Sequence, residues 1–253
     1  MTISVVIINQ LSDNYSYLIS GNKDNSSIII DPSESDKILN VLKEKKLNLN
    51  YIFITHHHSD HTSGVADLVR AYPEVKVFSP SELNLISVNI ISDGNEITTN
   101  FNKFSIIYTP GHTLDHVVLC DHENNLLFVG DVLFRLGCGR VFEGTLEQMQ
   151  KSLLKLFNLS DMMLVYCGHE YTLNNLKFLE HIFKKNKTLG SVKKKIISEL
   201  NSKKRSIPFH LGDEKKCNPF LNQNCEMALE LRSKNNYSDF EFFRYLREGK
   251  DSF

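Results

Sequence analysis

The feature that most constrains this chain is a core strand that runs straight into a burst of metal-capable side chains. Tyr51-Ile52-Phe53-Ile54 is an unbroken apolar run with the length of a buried strand. It is followed by Thr55-His56-His57-His58-Ser59-Asp60-His61, four imidazoles and one carboxylate within six consecutive positions. Packing gives no reason for such a segment, because rings and a carboxylate beside a core strand must find polar partners. Neutral imidazole and carboxylate are the ligands that Zn²⁺ and similar borderline cations favour. A fold carrying this segment must set the end of that strand at the rim of a metal site.

Three more donors recur in the same context. His112 follows the run Phe104–Tyr108, Asp131 follows Leu126–Val129 and Gly130, and His169 follows Met163–Tyr166 and Cys167-Gly168. Strand ends of one sheet gather along one edge, so these groups are expected to converge. Alternate residues of an extended loop point the same way. His56 and His58 are therefore expected to grip one ion with His112, and Asp60 and His61 a second with His169. Asp131, with two oxygens, bridges them, and each ion keeps an open position. His57 is expected to point away from the ions. His116, His122, His181 and His210 lack a companion motif and read as surface or packing residues, as do the thiols Cys138 and Cys167.

Short β-branched runs fill the first two-thirds: Ile3–Ile8, Tyr15–Ser20, Ser27–Ile30, Tyr51–Ile54, Val75–Phe78, Phe104–Tyr108, Val117–Cys120, Leu126–Val129 and Met163–Tyr166. Helical periodicity lies between them at Asp36–Lys46, Gly64–Ala71 and Leu146–Phe157, the last opened by a capping pattern, Thr145 with Gln148. After Gly168 the strand signal stops, and Asn174–Asn186, Ser191–Ser202, Glu226–Ser233 and Asp239–Arg247 read as helices. The expected division is residues 1–169 and a helical segment 170–253, with stacked sheets flanked by helices in the first.

Charge is uneven. Residues 1–180 hold 13 basic against 21 acidic side chains, residues 181–216 hold 11 against 3, and the whole chain nets −1. Such a basic segment suits an anionic partner or substrate. The five cysteines form no CxxC pair, the start Met1–Ile8 has no basic leader, and no apolar run nears the roughly 18–20 residues of a membrane span. A cytoplasmic monomer without membrane attachment is expected.

The order His56-x-His58-x-Asp60-His61, His112, Asp131, His169 resembles the metallo-β-lactamase superfamily signature. That resemblance implies an α/β fold, an αββα metallo-β-lactamase-like sandwich with a small C-terminal α-helical domain, and two divalent ions. Zinc is expected, and iron or manganese suit the same ligands. Three further features resemble the glyoxalase II (hydroxyacylglutathione hydrolase) family: Gly137-Cys138-Gly139-Arg140-Val141-Phe142, Gly168-His169-Glu170-Tyr171, and a tail with Asn218-Pro219-Phe220-Leu221 and Arg247-Glu248-Gly249-Lys250. The resemblance implies hydrolysis of a glutathione thioester, S-D-lactoylglutathione, to D-lactate and glutathione in methylglyoxal detoxification. It assigns attack to a hydroxide on the binuclear centre, with Asp60 and Asp131 at the reacting water, and glutathione to Arg140, Phe142, Tyr171, Arg247 and Lys250. Some relatives carry Tyr where Phe142 stands, so one hydroxyl is missing here. Asp13-Asn14-Tyr15 also matches, with a structural role implied.

A persulfide dioxygenase of the same superfamily, which uses one iron, is a rival that the complete ligand set disfavours. A nucleic-acid-processing member is another. Its phosphate contacts would be Lys184-Lys185, Lys193-Lys194-Lys195 and Lys203-Lys204-Arg205, but no aromatic residues alternate with them. The runs read as a solvated helical face, and no nucleic-acid partner is expected.

Overall fold

The computed structural model describes residues 3–22, 24–84, 86–184 and 186–253, so Lys185 of the basic runs lies outside the described residues. Internal contacts divide the chain into two compact units.

The first unit takes the residues up to Tyr108 together with Asp115–Gly130. It holds β1 (Ile3–Gln10), β2 (Asn14–Gly21), β3 (Ser26–Ile30), α1 (Asp36–Lys45), β4 (Asn48–Phe53), α2 (Ser59–Thr62), α3 (Val65–Ala71), β5 (Lys76–Ser79), β6 (Asn89–Ile90), β7 (Glu96–Thr98), β8 (Lys103–Tyr108), β9 (Val117–Asp121) and β10 (Leu126–Gly130). Strands β1 to β6 form one sheet in chain order, antiparallel from β1 to β3 and parallel from β3 to β6. Parallel neighbours need crossovers, which α1 and then α2 with α3 supply. Strands β7 to β10 form an antiparallel meander.

Alternation along the strands builds two cores. Leu18, Ile29 and Ile52 pack with Ile38 and Leu42 of α1 and Val65 and Leu68 of α3. Their neighbours Tyr17 and Phe53 meet the meander, Tyr17 with Phe128 at 5.4 Å and Phe53 with Phe104 at 5.3 Å between ring centroids. A sheet covered on both faces needs consecutive apolar residues, and Ile28, Ile29 and Ile30 are all buried. The layers in this unit are helix, sheet, sheet. Strand β4 ends at Phe53 and delivers Thr55–His61 beyond the carboxyl end of the parallel strands, where α/β folds place their ligands.

The second unit takes Thr109–Leu114 and Asp131–Phe253. It holds β11 (Leu133–Phe134), β12 (Gly137–Cys138), α4 (Leu146–Phe157), β13 (Leu164–Cys167), α5 (Thr172–Ile182), α6 (Lys187–Lys203), β14 (Phe209–His210), α7 (Leu211–Cys217), α8 (Glu226–Asn235) and α9 (Asp239–Asp251). Thr145 and Gln148 close the capping box anticipated for α4, and Ser238 with Glu241 closes a second on α9. Strand signal does not end at Gly168: β14 pairs antiparallel with β13, Val165 opposite Phe209. Two residues are too few to show a period. Helix α6 begins four residues before the expected Ser191, with Asn186 capping Leu189 N, because Gly190 weakens the helical pattern without breaking it. Among the described residues no helix is long and apolar enough to cross a membrane.

Candidate metal centre

In the first unit, the end of β4 gathers four of the expected donors. His56 Nε2 lies 3.2 Å from His58 Nδ1, and the His56 and His61 ring centroids are 4.2 Å apart. Asp60 Oδ2 lies 3.7 Å from His61 Nε2. Three of the four, His56, Asp60 and His61, are oriented from behind. Thr55 Oγ1 sits 3.0 Å from His56 Nδ1, and Asp31 Oδ2 sits 3.0 Å from His61 Nδ1. Holding Nδ1 presents Nε2 as the ligating atom of both rings. Asn14 Nδ2 donates to the carbonyl (3.2 Å) and to Oδ2 (3.0 Å) of Asp60. This gives the Asp13-Asn14-Tyr15 segment its structural part.

Asp31 was not among the expected site residues. It is 2% exposed and accepts from Thr55 N at 2.8 Å, from Thr55 Oγ1 at 2.7 Å and from His61 at 3.0 Å. Its φ of +50° is a left-handed conformation that a non-glycine residue rarely holds unless its surroundings impose it. The signal for it was present, since a carboxylate directly after Ile28-Ile29-Ile30 repeats the context of Asp131.

His116 packs, as anticipated, but against a donor: it is buried and stacks on His56 at 5.0 Å. Gly130, with φ +44°, lets this happen, because a Cβ there would lie 2.6 Å from Thr55 Oγ1 and 2.8 Å from His116 Nε2. His57 is exposed and turns its Nδ1 to Asp115 at 3.0 Å, and Asp115 also accepts from Ser81 Oγ at 2.7 Å.

In the second unit, Asp131 Oδ2 lies 3.5 Å from His112 Nε2 and 3.3 Å from His169 Nε2. One carboxylate oxygen facing two imidazoles is the arrangement a shared ligand needs. His112 Nδ1 donates to Arg140 O at 2.8 Å, which again presents Nε2. Tyr171 stacks on His169 at 4.7 Å with 7° between the planes. Phe142, 60% exposed, meets the His112 ring edge-on at 5.2 Å and lies 5.8 Å from the Arg140 guanidinium.

The same unit brings the expected cations together. Arg140 Nε donates to Asp251 Oδ1 at 3.1 Å, and Arg247 Nη2 donates to the same oxygen at 2.9 Å. Arg247 is only 4% exposed, and its Nη1 donates to Cys138 O at 2.9 Å and Gly139 O at 3.3 Å. Lys250 Nζ donates to Asn174 O at 3.0 Å. Burial first, then the Arg247 and Arg140 charges, lower Lys250 to about 8.

Clustered imidazoles oriented through their second nitrogens, with a carboxylate aimed at two of them, fit divalent cations in donor chemistry, and these His and Asp side chains form groups able to hold metal ions. The fold is that of the metallo-beta-lactamase superfamily, whose family model matches residues 11–169. Residues 170–253 match the hydroxyacylglutathione hydrolase C-terminus. The chain is 37% identical to the hydroxyacylglutathione hydrolase of Pectobacterium atrosepticum, over 99% of this chain and 100% of that one. It is 39% identical to that of Pseudoalteromonas translucida with the same coverage. Among solved structures, ETHE1 from Myxococcus xanthus shares the fold with a TM-score of 0.64 at 24% identity, over 98% of this chain and 100% of that chain. TTHA1623, solved in a di-iron-bound form, gives 0.56 at 27% identity over 66% of this chain and 91% of that chain. Within the superfamily, the chain belongs to the hydroxyacylglutathione hydrolase family. Its architecture is the expected α/β sandwich with a C-terminal helical region, and its cofactors are divalent metal ions.

Proposed function

We propose that the chain hydrolyses glutathione thioesters, with S-D-lactoylglutathione as substrate and D-lactate and glutathione as products. The observation that carries this reading is the joining of a cation cluster to metal donors. Arg140 contributes its carbonyl to His112 and its side chain to the Arg247–Asp251 group, with Lys250 beside it. A thioester with an anionic peptide tail needs both.

Residues 1–169 carry the chemistry together with Arg140 and Phe142, and residues 170–253 carry the remaining contacts to the peptide. Two zinc ions are the proposed cofactors, one on His56, His58 and His112, the other on Asp60, His61 and His169, with Asp131 common to both. When bound, such ions lower the pKa of a water and polarise a carbonyl. Asp60, fixed by Asn14, orients the attacking water. Arg140 and Lys250 hold the glutathione carboxylates, and Tyr171 hydrogen-bonds the peptide from its place against His169. Arg247 acts from the interior: it fixes the Cys138 and Gly139 carbonyls and adds its charge to the pocket for the carboxylate. Phe142 offers apolar contact alone.

The five cysteines are buried and none is joined in a disulfide, which suits a reducing cytoplasm, and we propose a cytoplasmic monomer. The test is thiol release from S-D-lactoylglutathione by purified, metal-replete protein. A chelator should abolish it and added zinc restore it. No thiol release from protein with measured metal content rejects the substrate.

A further inference from the structure

The turn Phe134-Arg135-Leu136-Gly137 joins β11 to β12 and is buried throughout, arginine included. Buried turns are uncommon, because their backbone groups must all be satisfied. Here side chains from three helices do it. Leu136 N donates to Glu214 Oε2 of α7 at 2.7 Å. Asn175 Nδ2 of α5 donates to Arg135 O at 3.0 Å. Asn218, capping α7, donates to Phe134 O at 3.2 Å and Gly137 O at 3.0 Å. Arg247 of α9 holds the next two carbonyls, of Cys138 and Gly139. The Arg135 guanidinium reaches outward to Glu199 of α6 and to Ser206 O at 2.8 Å, with its Nε 4.0 Å from Glu214 Oε1. Leu136 is held at φ +59°, a left-handed conformation that this cradle imposes.

The two ends of the hairpin are Asp131 and Arg140. The two arms approach closely beside Arg140: a Cβ on Gly139 would lie 1.9 Å from Asp131 O. Asp131 faces His112 and His169, and the Arg140 carbonyl orients His112. Any shift of the turn therefore moves one donor through the chain and a second through a hydrogen bond.

We infer that Glu214 and Arg135 are positioning residues for the metal centre, holding the β11–β12 turn so that Asp131 and His112 keep their geometry. The helical elements thus set the donors as well as receiving the peptide. This rests on the metal-centre reading of Asp131 and His112.

The experiment is amide hydrogen exchange of residues 131–140, with kinetics alongside. Glu214→Met keeps the volume and removes the acceptor. It should speed exchange of this segment roughly 10- to 100-fold, within the range for leaving a buried N–H without its partner. It should also lower kcat more than it raises KM. Glu214→Gln, which still offers an oxygen to Leu136 N, should restore most of both. Exchange within twofold of the parent, or acceleration spread evenly over the α7 and α9 peptides, overturns the inference. If Glu214→Met does not fold, the unaltered protein decides: Leu136 N should exchange far more slowly than the amide of the exposed Asp161 between α4 and β13, and equal rates overturn it. The exchange arm needs no substrate. Absent thioesterase activity therefore counts against the proposed reaction, and unchanged exchange counts against this inference.

Discussion

Asp31→Asn tests how the ligating nitrogens are chosen. The carboxylate satisfies three donors at once, Thr55 N, Thr55 Oγ1 and His61 Nδ1, from a nearly inaccessible position. An amide of the same shape cannot. If its oxygen takes the Thr55 N–H, its NH₂ faces His61 Nδ1, which must then become the acceptor. The imidazole proton moves to Nε2, the atom needed for ligation. If the amide is reversed, its NH₂ faces Thr55 N–H in the interior, at a cost of about 1–3 kcal/mol. The first arrangement is cheaper, because the Thr55 hydroxyl can turn to accept. The expected result is therefore a split. Thermal stability of the metal-free protein falls by no more than about 1 kcal/mol. Affinity for the ion proposed to be held by Asp60 and His61 falls roughly 10- to 100-fold, as for loss of a carboxylate behind a ligating histidine. Competition against a chromophoric zinc chelator measures the affinity, and long-range ¹H–¹⁵N spectra of the His61 ring report the tautomer. A folded variant that binds both ions within twofold of the parent, with the proton still on Nδ1, refutes the reasoning.

Two other outcomes follow from the cation cluster and its neighbour. Lys250 is held at about 8, below its unfolded value, so the free protein loses this ammonium as pH rises through that point. KM for the thioester should climb from about pH 7 to 9, and Lys250→Arg, which stays charged, should flatten the climb; a parent KM flat over that range removes Lys250 from the carboxylate contacts. Phe142→Tyr restores a hydroxyl on an exposed ring 5.2 Å from His112. KM should drop about 2- to 10-fold with kcat unchanged, the worth of one neutral hydrogen bond, and steady-state kinetics showing no change in KM would exclude that contact.

What could be read from the chain followed from the reach of each signal. The nine longer strands and the metal donors declare themselves locally, through β-branched runs and the polar groups that end them. Asp31 carries that same mark, but a lone carboxylate before Pro32 also suits an ordinary turn. The hairpin β11–β12 and the two-residue strand β14 had no local mark. Leu133-Phe134 and Gly137-Cys138 form a hairpin because Asn175, Glu214, Asn218 and Arg247 surround them. The motif Arg247-x-x-Lys250 showed two cations on one helical face. Only the burial of Arg247 against two carbonyls distinguishes the residue that builds the pocket from the one that fills it.

The cradle of the β11–β12 turn also sets an order of events as the chain is made. Its hydrogen bonds span 40 positions from Asn175, 78 from Glu214, 84 from Asn218 and 109 from Arg247. Contacts so distant in sequence close late. The donors around His56–His61 are placed by neighbours that are synthesised early, Asp31 and Asn14 among them. A ribosome-bound chain that has not yet released Arg247 lacks the side chain that holds the Cys138 and Gly139 carbonyls, so the hairpin that follows Asp131 is expected to take its final place only after synthesis has run almost its whole length.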